Sequence, residues 1–156
     1  MSRLSASLLM LGLLGGDVRG AETHSKDEAL QRTMAIIAEA FRAGKPEPLT
    51  SLLPEGGKVF ISLEHFQGTA GYYGRDQLYF ILQEMFSDLK TVRFVLRPQA
   101  NVDTPPPRGQ KPSQIAHCIG EWKYSRQQGP ETDTQMLFVL FQKNSTWSLL
   151  QLREAR

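Results

Sequence analysis

The side chains able to do acid–base, nucleophilic or metal chemistry are few and dispersed. The three histidines, His24, His65 and His117, are scattered and have no cluster of Cys, Asp or Glu around them, so no metal site is expected. A general base needs an imidazole or carboxylate within hydrogen-bond reach of its target. His117 and Glu121 share one face of a predicted strand. Four residues of extended chain hold their Cα atoms roughly 13 Å apart, too far for a direct pair. Asp76 opens a helix, where a carboxylate serves the helix dipole. Glu84 and Asp88 fall on the polar side of that helix, Asp103 lies among prolines, and Glu121 has the parity of an outer sheet face. Tyr72 and Tyr73 carry phenolic donors and precede Arg75; packing and bridging to a neighbouring carboxylate are the roles expected of them. Gly68, Gly71 and Gly74 lack the Lys-Ser/Thr continuation of a phosphate loop and read as turn residues. No catalytic residue is assigned and no cofactor is expected.

The elements that carry these residues follow from hydrophobic spacing. Ser25-Lys26-Asp27-Glu28 reads as a capping box. After it, Leu30, Met34, Ile37 and Phe41 form one stripe of a helix that Gly44 and Pro46 end. A short helical turn is predicted around Leu49, Leu52 and Leu53, and a short strand at Val59-Phe60-Ile61. Gly68 to Gly74 reads as a loop. A second helix starts near Arg75, with Leu78, Leu82, Met85, Phe86 and Leu89 on one face and Tyr79, Phe80 and Ile81 widening it. From residue 91 the period becomes two. Val92, Phe94 and Leu96 alternate with Thr91, Arg93 and Arg97. A proline-rich loop, Asn101 to Pro112, precedes strands at Ile115–Tyr124, Thr134–Gln142 and Thr146–Arg153. Helices segregated from a run of antiparallel strands predict an α+β fold, one curved antiparallel sheet packed on N-terminal helices.

The chain begins with a predicted signal peptide over residues 1–20. Arg3 supplies the positive start, Leu4 to Leu14 is an apolar stretch too short to span a bilayer, and Val18-Arg19-Gly20 offers a cleavage site before Ala21. Export to the periplasm or the extracellular space is the expectation, with no membrane contact after cleavage. The full chain has a formal charge of +2 over 156 residues, and the remainder keeps about +1, spread without a basic stripe. Nucleic-acid binding is therefore not expected. Cys118 has no intrachain partner and sits in an apolar run, where a buried thiol is expected.

Two strands are apolar on both faces. Met136, Phe138 and Leu140 oppose Leu137, Val139 and Phe141, and Trp147 and Leu149 oppose Leu150 and Leu152. A sheet buried on both sides needs a second cover, and large bare apolar patches are rare on monomers. A homodimer through the outer sheet face is expected. A bulge or edge twist that buries both sets within one chain is the alternative.

Over residues 25–156 the chain resembles the nuclear-transport-factor-2-like superfamily, which includes the ketosteroid-isomerase-like and SnoaL-like cone folds. The likeness rests on Gly71-Tyr72-Tyr73-Gly74-Arg75-Asp76 before an amphipathic helix, and on a last strand ending Trp147-Ser148-Leu149-Leu150-Gln151-Leu152-Arg153. The ending is similar to that of small exported bacterial members of unknown function. The resemblance implies a cone with a pocket at one end, lined by Phe94, Trp122, Tyr124 and Phe138 and completed by Tyr79 and Phe60. It implies either a non-catalytic domain that binds a small apolar ligand or a protein partner through the cone or the dimer face, or a small isomerase, dehydratase or cyclase using a pocket carboxylate or histidine. Fold alone does not choose between them.

Overall fold

The structure is a computed structural model, and it describes residues 18–63, 70–99, 108 and 114–155. Residues 1–17 of the expected leader, His65, Gly68 and Asp103 lie outside the described residues, as does the side chain of His24. The element order is α1 (Val18–Ala43), α2 (Glu47–Thr50), β1 (Lys58–Ser62), β2 (Gly71–Gly74), α3 (Arg75–Asp88), β3 (Leu89–Gln99), β4 (Ile115–Arg126), β5 (Glu131–Lys143) and β6 (Thr146–Glu154). The strands make one sheet in the order β2-β1-β6-β5-β4-β3. β3 to β6 form a continuous antiparallel meander, while β1 runs parallel to β6 and antiparallel to β2. This is the α+β arrangement the spacing predicts.

Helix α1 buries Met34, Ile37 and Phe41, the predicted stripe, against the sheet. Gly44 ends it in the left-handed region at φ +62°, which lets the Lys45 amide donate to the Ala40 carbonyl at 3.0 Å. Its start differs from the prediction. The helix already runs from Val18, so Ser25 lies inside it and is not an N-cap. Helix α3 buries Leu78, Leu82 and Met85, but Phe80 is 65% exposed and belongs to its outer side.

Gly71–Gly74, predicted as a loop, is strand β2. Pairing overrides the poor strand propensity of its glycines: Lys58 faces Gly74, and Val59 faces Tyr73. At the strand-to-helix junction the Gly74 amide donates to Gln77 Oε1 at 3.1 Å. Arg75 donates through Nη2 to the Leu53 carbonyl, tying α3 to the chain after α2.

Two bulges decide which side chains face the helices. In β3 the register shifts between Thr91 and Arg93, leaving Val92 as the extra residue and 49% exposed, whereas Phe94 is buried. In the β5–β6 pair, Val139 faces Gln151 but Leu140 faces Leu149, so Leu150 is the extra residue. The slip turns Trp147, Leu149 and Leu152 all inward. The apolar surplus of β6 is thus absorbed within one chain. β5 is regular, and Leu137 and Val139 remain on its outer face.

The core lies between α1, α3 and the inner sheet face. Phe41 stacks on Phe94 at 4.3 Å and meets Phe86, Trp122 and Phe138 edge-on at 5.3, 5.0 and 5.6 Å. Gly120 permits this closure. A Cβ there would come within 2.6 Å of Phe94 and 3.0 Å of Phe138. β3 is one edge of the sheet, and Arg42 of α1 reaches it, donating through Nε and Nη2 to the Phe94 carbonyl at 3.4 Å each.

Candidate functional site

The six residues predicted to line a pocket divide into three groups. Phe94, Trp122 and Phe138 are fully buried and interlock with Phe41, so they form the packed interior of the cone. Tyr124 sits at the margin of that cluster, its ring 4.7 Å from Trp122. The Trp122 indole donates to Thr91 Oγ1 at 2.9 Å, which fixes the ring at the same end. Tyr79 lies beside the core-facing row of α3, half-buried. It lines a groove of about 550 Å3 between that helix and the α1–α2 turn, with Pro46, Pro48, Gln83 and Phe86. Phe60 is on the opposite sheet face. Its neighbours Val59 and Ile61 point into the core, while Phe60 packs on Tyr72 at 5.2 Å. The structure therefore brings four of the six together and separates Tyr79 and Phe60 from them.

The acids follow the parity read from the sequence, with one exception. Glu121 lies on the outer face and pairs with Arg97 at 3.6 Å. Asp76, Glu84 and Asp88 are exposed. Glu154, which sequence reasoning passed over, has the inward parity of Leu152 and aligns with the buried Met136. Its Oε1 is buried. Burial, then the Glu154 carboxylate, push the Tyr124 phenol above its ordinary pKa, and Arg126 works against them. Among the described residues the inner face thus holds one carboxylate, electrostatically coupled to one phenol, at the end of the aromatic cluster. A proton could be taken up and given back there.

The outer face is of a different character. Leu137 and Val139 are only 5% and 4% exposed there, shielded by neighbours on β4 and β6. Ile119 and His117 of β4 stand opposite them, and Gln151 and Arg153 of β6 flank them. Burial, and then the Arg153 charge, hold the His117 imidazole below its ordinary pKa. Toward the β4–β5 turn the face becomes charged. Lys123 bridges Glu131 at 3.4 Å and Asp133 at 3.7 Å, and a groove of about 440 Å3 runs past Arg93, Glu121, Asp133 and Gln135. Cys118 is buried on the inner side, where desolvation pushes its thiol up to about 11 and keeps it protonated. Among the described residues no cluster of three or more His, Cys, Asp or Glu could hold a metal ion, and no helix is long and apolar enough to cross a membrane.

No protein-family model matches the chain, and no curated protein is similar to it. Its likeness to known proteins is one of shape. A designed protein with NTF2 in its name matches with a TM-score of 0.56 at 10% identity, over 83% of this chain and 99% of that one. A DUF4783 family protein from Bacteroides uniformis matches with a TM-score of 0.56 at 15% identity, over 77% and 93% of the two chains. A domain of unknown function with a cystatin-like fold from Nostoc punctiforme matches with a TM-score of 0.55 at 16% identity, over 85% and 77%.

Proposed function

Starting from its nuclear-transport-factor-2-like fold, we propose that this chain is an exported, non-catalytic binding domain that acts as a homodimer through its outer sheet face. The observation that carries this reading is the division of the sheet. Its inner face is occupied by interlocked rings, and its outer face keeps Ile119 and Phe60 half-buried beside Leu137 and Val139, which the chain itself already covers, with charges of both signs on the border. Burial of such a patch against itself supplies the hydrophobic term, and the mixed border suits a self-complementary contact. A small apolar ligand would have to enter at the Tyr124 end of the aromatic cluster. Export rests on the leader-like residues 1–20.

The test is sedimentation of the chain beginning at Ala21. A dimer mass is expected, and Phe60→Asp and Ile119→Lys should each yield monomers with unchanged far-UV dichroism. A folded wild-type monomer at tens of micromolar would refute the reading.

A second reading is favoured by Glu154 and Tyr124 alone. An inward carboxylate beside a phenol suits proton transfer at carbon next to a carbonyl. Deuterium exchange into a panel of cyclic ketones, present with the wild type and lost in Glu154→Gln, would replace the binding reading with an isomerase-type one.

A further inference from the structure

We infer that the dimer opens in acid and that His117 is the group whose protonation opens it. This rests on the homodimer reading above. His117 lies on the outer face near the start of β4, one strand in from the β3 edge. Val139 of β5 and Gln99 of β3 stand directly across from it, and Ile115 and Ile119 flank it on its own strand. It is half-buried before any partner arrives.

The charges that face it are mostly positive. β3 contributes Arg97 and β6 contributes Arg153. β5 contributes only Leu137, Val139 and Phe141 in the rows beside it. Along β4 the nearest acid is Glu121, whose carboxylate already pairs with Arg97, and Lys123 lies beyond it. An imidazolium at this place would join Arg97 and Arg153 around one engaged carboxylate.

A two-fold partner brings an identical face, so the cover excludes water and carries the same cations. A neutral imidazole tolerates that, since it keeps one donor and one acceptor and no charge. An imidazolium loses its hydration without gaining a counterion, the costly form of burial. The monomer, with the face open to water, takes the proton more easily. Proton uptake therefore favours the monomer, and mass action converts this into weaker association as the pH falls.

The experiment is sedimentation velocity of the chain beginning at Ala21, wild type and His117→Gln, at about pH 7.5 and about pH 5.5 in equal salt. The wild type is expected to be dimeric at the higher pH and to lose at least about tenfold in association constant at the lower, while His117→Gln stays equally dimeric at both. A monomeric wild type at the higher pH refutes the homodimer reading itself. A dimer that persists or tightens in acid leaves that reading standing and overturns the switch. A pH response that survives in His117→Gln also overturns it, because His24, His65 or a carboxylate would then be responsible. Far-UV dichroism at each pH separates dissociation from unfolding.

Discussion

Single atoms set the limits of the inner face. A methyl group added at Gly120 would meet the Phe94 and Phe138 rings well inside contact distance, and those rings are held by Phe41 from behind. Gly120→Ala should cost about 1–3 kcal/mol, the usual range for overpacking a filled core, measured as a fall in urea midpoint at constant slope. On the other face, NMR titration should place the His117 imidazole below its ordinary value of about 6.5. Arg153→Gln should raise it only in part, because burial is the larger cause. The sign for stability follows. The unfolded chain binds the proton more readily, so the neutral imidazole's contribution is complete above the unfolded pKa and is lost as the pH falls through the lower folded one.

Secondary elements show where the sequence could be read and where it could not. Leu30, Met34, Ile37 and Phe41 recur at helical spacing, and α1 buries the last three with Leu30 partly buried against them. The alternation of Cys118, Trp122 and Tyr124 against His117, Glu121 and Lys123 is equally visible and equally kept. β2 was hidden because Gly-Tyr-Tyr-Gly has no alternation of its own and becomes a strand only through β1. Val92 was misplaced because a bulge has no residue signature. The same holds with more consequence at Leu150. Counting in twos from Trp147 and Leu149 would send Glu154 outward; the extra residue reverses the parity and turns this acid in. The inward position of this carboxylate was therefore illegible. The hairpin between β5 and β6 carries a further expectation. Asn144 and Ser145 both adopt positive φ, at 49° and 64°. Asparagine tolerates this region and serine does not, so Ser145→Gly should raise the urea midpoint by the equivalent of about 0.5 kcal/mol.

For the molecule as a whole, the sheet's two edges differ. β2 is four residues long, which offers little backbone to a stranger. β3 is eleven residues long, and three features interrupt its free side: the Val92 bulge, Pro98 without an amide hydrogen, and the Arg42 guanidinium over the Phe94 carbonyl. Arg42→Ala should leave the urea midpoint within about 0.5 kcal/mol, yet increase turbidity and thioflavin binding on mild heating. The guanidinium works as a stopper on the longest exposed row of main-chain acceptors. With that row closed, edge-to-edge addition of copies into a growing ribbon is blocked, so the face-to-face pairing proposed above would have no route to open-ended assembly.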